Sequence, residues 1–171
     1  YWPRTASSGR ESLNSPAASF SAPVPTSDEE TVKRAEALQP LSREHLAALL
    51  AARKLRAADD VTVATHQFLA FWDDDGRRHF RIEEEVLLPG GAAYGKVDRD
   101  GVARMLEEHL IIRREVVRLG AGELSVGQIH RLGDLLHDHV RFEERVLFVA
   151  AEEALNAVSL ARLATAIDEA E

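Results

Sequence analysis

Residue types that bind metals recur at fixed spacings in two parts of the sequence. The segment HFRIEEEVLL at 79–88 returns as HVRFEERVLF at 139–148, with six of ten positions identical at an offset of 60. Glu-His-Leu at 44–46 returns at 108–110, at an offset of 64. Each half of this repeat therefore supplies a single histidine followed by a His-x-x-x-Glu pair. The candidate metal ligands are His45, His79, Glu83, His109, His139 and Glu143.

The His-x-x-x-Glu spacing places an imidazole and a carboxylate on one side of a helix. Residues four apart on an α-helix differ by about 40° in direction, so His79 and Glu83 point the same way. If all six candidates face a bundle axis, burying them without a cation is costly, and two divalent or trivalent ions would satisfy them. Imidazole with carboxylate suits iron, manganese or zinc, and two shared carboxylates can bridge two metals.

The other histidines and glutamates are expected to lie away from the ligand positions. Three histidines lie roughly 160–220° round the helix from the nearest His-x-x-x-Glu histidine: His66, His130 and His137. Glu84 and Glu144 lie about 140° from their histidines and should face away from the axis. Four glutamates are interpreted as solvated or as partners of the ligands rather than as ligands: Glu44, Glu84, Glu108 and Glu144. One histidine, or one His-x-x-x-Glu pair, is common on surface helices, and the duplication is what favours a metal site.

Helical periodicity without strand-like alternation predicts an all-α protein from Asp28 onward. A short helix should run to Leu38 and stop before Pro40. Ser42 is expected to cap the first bundle helix, with Leu46, Leu49 and Leu50 on its apolar side. The other bundle helices are predicted at 61–88, 97–119 and 126–155, with a last helix after 159. Four helices joined by short loops pack as an up-down bundle, here with short flanking helices.

Two residues are expected to cap bundle helices, and one segment to end a helix. Asp60 should cap the second bundle helix and Ser125 the fourth. Pro89-Gly90-Gly91 is expected to end the second helix.

Composition excludes several classes of function. The 171 residues carry 21 basic and 29 acidic side chains, a net charge of −8, which argues against nucleic acid or an anionic membrane surface as partner. The absence of cysteine excludes disulfides, thiolate metal sites and iron–sulfur clusters. The apolar runs are too short to span a bilayer, and a cytoplasmic location is expected.

The first 28 residues differ in composition from the rest. Serine, proline and alanine make up 15 of them, without apolar periodicity, which predicts a flexible tail over 1–28. Its aromatic residues, Tyr1, Trp2 and Phe20, leave docking on the domain open. The folded domain is predicted at 29–171, with its metal-binding core at 42–151.

The order His, His-x-x-x-Glu, His, His-x-x-x-Glu resembles the hemerythrin-like (HHE cation-binding) domain family over 42–151. The resemblance implies a hemerythrin-type four-helix bundle holding two iron ions, bridged by carboxylate and by oxo or hydroxo groups, with manganese or zinc as alternatives. It assigns His45 and His79 to one iron and His109 and His139 to the other. Glu83 and Glu143 correspond to the bridging carboxylates.

The sequence departs from oxygen-carrying hemerythrins at two positions. Arg113 stands where they have a further histidine, and Glu144 where they have a bridging aspartate, with the bridge supplied instead by the His-x-x-x-Glu glutamate. With one protein ligand fewer, more metal positions are open to a small ligand, which argues against simple reversible oxygen carriage.

Three functions remain open at this stage. The first is a di-iron protein that binds or senses O2 or a related small oxidant such as peroxide or NO, shielded from water by Phe68, Trp72, Leu110 and Leu136. The second is an enzyme that disproportionates peroxide or oxidises ferrous iron at the same site. The third is a zinc-bound or metal-free bundle with a structural or interaction role. The sequence does not identify a protein partner.

Overall fold

The computed structural model describes residues 34–95 and 98–170, and the regular elements within them are all helical. A 3-10 turn at Glu36–Leu38 leads directly into the first helix. Five helices follow: α1 at Gln39–Arg56, α2 over residues 61–94, α3 at Arg99–Gly120, α4 over residues 126–154 and α5 at Ala157–Ala170. Helices α1 to α4 form the predicted up-down four-helix bundle, and α5 is a shorter flanking helix.

Three wide π turns interrupt the α-helical hydrogen bonding of α2 and α4. They lie at Trp72–Gly76 and Glu83–Leu87 in α2, and at Glu143–Leu147 in α4. Two of them begin at the glutamates of the two His-x-x-x-Glu pairs, at equivalent positions of the repeat. Single π turns inside α-helices are frequent at functional sites, because they change where the following side chains point.

The helix ends partly match the sequence predictions. Asp60 caps α2, since its carboxylate accepts hydrogen bonds from the backbone N–H groups of Thr62 and Val63. The predicted start of α4 at Ser125 is also confirmed, because the side chain of Gln128 accepts from the backbone N–H of Ser125.

Two predicted helix ends are wrong. Ser42 is not a cap, because α1 already begins at Gln39 with Pro40 in its first turn, where a missing N–H costs no hydrogen bond. Pro89 does not end α2, which continues to Tyr94. The π turn ends at Leu87, two residues before Pro89. Its wider spacing accommodates a residue that has no backbone N–H to donate.

Two apolar clusters fill the bundle above and below the candidate ligands. One includes Leu55, Phe68 and Leu136, and the other includes Met105, Phe148 and Ile167. The second cluster draws on α5, which closes that end of the bundle. The candidate ligands therefore lie in a polar layer between the two apolar clusters.

The predicted apolar side of α1 is partly wrong, although Leu49 packs against the core as expected. Leu46 and Leu50 are 68% and 52% exposed, whereas Leu41, Ala48 and Leu55 are buried. The buried face of α1 is the face that carries His45, so a polar residue marks the direction of the core.

None of the described helices is both long and apolar enough to cross a membrane. The predicted tail at 1–28 and residues 29–33 of the predicted first helix lie outside the described residues. The same holds for Val97, the predicted start of the third bundle helix.

The α1–α4 interface is the most extensive of the bundle and depends on a glycine. A Cβ atom at Gly133 would lie 2.8 Å from the carbonyl oxygen of Ala52 and 2.7 Å from Cγ of Arg56. We therefore expect Gly133→Ala to lower the free energy of unfolding by about 1–3 kcal/mol, because backbone must shift to admit the methyl group. Chemical denaturation measures this change.

The matched control is Gly127→Ala in the same helix, where a Cβ would meet only the end of the Arg131 side chain at 3.8 Å. We expect this variant to be as stable as the wild type. Equal stability of the two variants would show that the close approach at Gly133 does not limit packing.

Candidate metal centre

All six predicted ligands meet in one buried cluster. Helix α1 supplies His45, α2 supplies His79 and Glu83, α3 supplies His109, and α4 supplies the remaining pair. The side chains are at most 5% exposed, and both glutamates are fully buried. The structure brings together every residue that the sequence singled out, in the polar layer of the bundle.

Each buried glutamate divides its two oxygens between the two histidine pairs. Oε1 of Glu83 lies 3.2 Å from Nε2 of His79 and 3.8 Å from Nε2 of His45, whereas Oε2 lies 3.3 Å from Nε2 of His109. Glu143 divides its oxygens in the same way, with the two oxygens exchanged. Its Oε2 lies 3.2 Å from Nε2 of His45, and its Oε1 lies 3.2 Å from Nε2 of His139. Both carboxylates therefore lie between the two histidine pairs.

A second layer of glutamates holds the outer nitrogen of each histidine. Four Nδ1 atoms each lie 2.6–2.9 Å from a carboxylate oxygen; the pairs are His45–Glu144, His79–Glu44, His109–Glu84 and His139–Glu108. An ionised carboxylate can only accept, so each Nδ1 carries the proton and donates. Each neutral imidazole then presents an unprotonated Nε2 to the centre, which is the form that binds a metal.

The contacts of this second layer pass from helix to helix. Glu44 of α1 reaches α2, Glu84 of α2 reaches α3, Glu108 of α3 reaches α4, and Glu144 of α4 returns to α1. The expectation that Glu84 and Glu144 face away holds for the bundle axis, but both contact the histidine of a neighbouring helix. The four hydrogen bonds form a closed ring around the bundle.

An arginine in turn pairs with each glutamate of the second layer. The N–O distances are 2.5–2.8 Å; the pairs are Arg78–Glu44, Arg113–Glu84, Arg104–Glu108 and Arg34–Glu144. Partial burial raises the pKa of all four carboxyls, but the hydrogen bonds and charges of their histidine and arginine partners outweigh it and lower each pKa. For Glu144, the hydrogen bonds from His45 and Arg34 lower the pKa to about 2.

The innermost atoms fit a pair of cations. Within the described residues, Nε2 of His45, Nε2 of His79 and all four oxygens of Glu83 and Glu143 are buried and make no hydrogen bond. Nε2 of His109 and Nε2 of His139 lie 3.1 Å apart. Two nitrogen lone pairs at that distance need a cation or a proton nearby.

These atoms form two groups of four potential ligands. His45 and His79 form one group with Glu83 and Glu143, and His109 and His139 form the other with the same glutamates. In each group the ligand atoms lie within 4.8 Å of one another. The two groups overlap, because they share both glutamates.

Without a cation the cluster retains protons. Burial lowers the pKa of the histidines, but the adjacent carboxylates of Glu143, Glu144 and Glu83 outweigh it at His45 and raise its pKa to about 11. The neighbouring glutamates likewise raise the pKa of His79 and of His109 to about 9. The site therefore holds positive charge in either state, as protons or as metal.

The three histidines expected off the axis are absent from the cluster. His66 is exposed, His137 lies beside Asp138 at the surface, and His130 donates from Nε2 to the backbone oxygen of Ala58.

The expected shielding residues are partly wrong. Phe68, Trp72 and Leu136 are buried, whereas Leu110 is 68% exposed, because it follows His109 by one residue and points about 100° away from it. Phe80 shields the site instead: its ring stacks on His109 with centroids 3.6 Å apart. The sequence carried a signal for this, since Phe80 follows His79 inside the repeat.

The family comparison agrees with this geometry. The sequence profile of the hemerythrin HHE cation binding domain matches residues 36–151, about two thirds of the chain. The chain therefore belongs to the hemerythrin HHE cation-binding domain family. Its members' binding of cations accords with the buried histidine–glutamate cluster.

A curated relative matches over a shorter stretch. An uncharacterized aminopeptidase of Mycobacterium leprae is 42% identical over 66 residues, which cover 33% of this chain and 17% of that protein. The chain thus spans less than a fifth of this relative, whose activity is not transferred to it. No solved structure matches the chain.

The raised histidine pKa values predict how the metal-free protein responds to alkali. A histidine whose pKa is raised above its unfolded value of 6.5 contributes stability that is complete below pH 6.5 and lost as pH rises through the folded pKa. We expect the Tm of metal-free protein to fall as pH rises through about 9 to 11. Glu144 does not contribute to this fall, because its stabilisation is lost only towards acid pH.

The metal-loaded protein is the control, because its histidines are already unprotonated at Nε2. Its Tm should fall less than that of the metal-free protein over the same pH range. Calorimetry of both forms measures the difference, and parallel curves would contradict the prediction.

Proposed function

We propose that this chain is a non-haem di-iron protein that binds or senses O2 or a related small oxidant, such as peroxide or NO. The observation that carries the proposal is the pair of buried glutamates, each directing one oxygen to each histidine pair. His45 and His79 would hold one iron, and His109 and His139 the other. Bound iron would supply the electrons and the open coordination positions for such ligands.

The protein's own contribution is to orient the ligands and to keep water out. Donation from each Nδ1 to a glutamate fixes the tautomer and the ring direction of each histidine. The two apolar clusters limit access of bulk water from both ends of the bundle. Four protein atoms converge on each cation position, so a metal that prefers six ligands keeps positions for small molecules.

A narrow cavity supports a small ligand. Its volume is about 10 Å³, and it lies against His79, His139 and Glu143, with Trp72 and Val140 in its wall. A cavity of this size holds about one water-sized molecule. O2, NO and peroxide each have two heavy atoms and are slightly larger than water, so the wall would move slightly to admit them and would have to move much further for larger substrates.

Metal analysis and spectroscopy test the proposal. We expect protein from iron-replete cells to contain close to two irons per chain and to show near-ultraviolet bands of a bridged iron pair in air. His79→Ala and Glu143→Ala should each lose at least one iron and these bands, because His79 belongs to one group of ligands and Glu143 to both. His66→Ala is the matched control, since His66 is exposed and outside the cluster.

Two results would redirect the proposal. A folded bundle that contains zinc, or no metal, after growth in iron would favour the structural or interaction role. Sustained peroxide consumption or ferrous oxidation by the loaded protein would favour the enzymatic alternative, which the open coordination positions also fit.

A further inference from the structure

The arginines around the site do not follow the internal repeat, although the ligands do. In the first half, Arg113 of α3 holds Glu84 through two hydrogen bonds of 2.7 and 3.0 Å. Glu144 is the equivalent of Glu84 in the second half. At the offset of 64, the α1 residue that corresponds to Arg113 is Leu49, an aliphatic side chain that cannot pair with a carboxylate.

An arginine from outside the bundle helices takes this place. Arg34 precedes the 3-10 turn that leads into α1. Its Nη2 donates to Oε2 of Glu144 at 2.8 Å and to the backbone oxygen of Glu144 at 2.6 Å. Its Nη1 donates to Glu152 at 2.9 Å, and Glu152 also accepts from the backbone N–H of Ala35. This part of the chain is thereby anchored to α4.

Arg34 touches both groups that support His45. Glu144 accepts from Nδ1 of His45 at 2.6 Å. The ring of Phe148 stacks on His45 at 5.3 Å between centroids, with 17° between the planes. The guanidinium of Arg34 in turn lies 5.4 Å from the centre of the Phe148 ring. A displacement of Arg34 would therefore free His45 on two sides.

We propose that Arg34 is a positioning residue for His45. Through Arg34, the segment at 34–38 ahead of α1 controls the occupancy of one of the two metal positions. This inference rests on the proposed metal-binding function. Arg34 holds Glu144, and Glu144 holds His45 with its Nε2 towards the position shared with His79. The position of His109 and His139 depends on Arg113 and Arg104, which belong to α3.

Anaerobic titration of the full-length metal-free protein with ferrous ion tests this inference. For Arg34→Gln we expect one of the two binding steps to weaken by about tenfold or more, as is typical when the partner of a ligating histidine is lost. The other step should remain as in the wild type. Arg34→Lys keeps the charge but cannot span Glu144 and Glu152 together, and its defect should be smaller.

Glu152→Gln is the matched control for a merely structural role. It removes the other ion pair of Arg34 but leaves the contact with Glu144, so both binding steps should be retained. Nuclear magnetic resonance of the metal-free protein provides a readout that global stability does not move. The hydrogen-bonded Nδ1–H proton of His45 should shift or broaden in Arg34→Gln and stay unchanged in Glu152→Gln.

Three results would overturn the inference: wild-type affinity for both ions in Arg34→Gln, equal weakening of both steps, or the same behaviour in Arg34→Gln and Glu152→Gln. If Arg34→Gln fails to fold, Arg34→Lys is compared with Glu152→Gln by the same criteria. A wild-type protein that binds no iron overturns the proposed function and control of occupancy with it. The Nδ1–H signal then still reports separately whether Arg34 positions His45.

Discussion

The charges of two carboxylates and the lone pairs of four imidazoles must be matched inside a core that excludes water, and the rest of the bundle follows from this requirement. Glu83 and Glu143 are fully buried and lie between two apolar clusters. An unpaired charge in such surroundings is far more costly than the apolar packing around it can offset. The cluster is stable only with cations at its centre, and protons and metal ions compete for that role.

The charges around the centre alternate in layers. Moving outward, the bridging carboxylates are followed by histidines, then by a second layer of glutamates, then by arginines. Each layer stabilises the next, because every hydrogen bond joins groups whose charges or dipoles complement each other. The ligands and the second glutamates obey the internal repeat, whereas the arginines come from unrelated positions: Arg34, Arg78, Arg104 and Arg113. The need for a positive charge beside each glutamate is thus met in four different ways.

The sequence predicted which residues lie together at the centre better than it predicted their surroundings. Spacing and duplication sufficed for the six candidate residues, since helical periodicity determines which side chains share a face. It could not show that Glu84 reaches His109, because a direction on one helix does not identify the neighbour on the next. The apolar side of α1 was misjudged because the buried face there is marked by His45, and Leu46 and Leu50 are exposed. Arg34 was invisible to the repeat, since its partner Glu144 lies 110 residues away.

The surroundings of the centre are less symmetric than its ligands, and this decides where a small molecule can approach. Phe80 stacks on His109, whereas the repeat places the shorter Val140 at the equivalent position. Likewise Ala48 of α1 corresponds to the larger Ile112 of α3. The narrow cavity is lined by Ala48 and Val140, where the two halves differ by the loss of side-chain volume. A duplicated fold can thus keep equivalent candidate ligands while the packing around its two halves differs, because the ligands must match while the packing residues need only fill space.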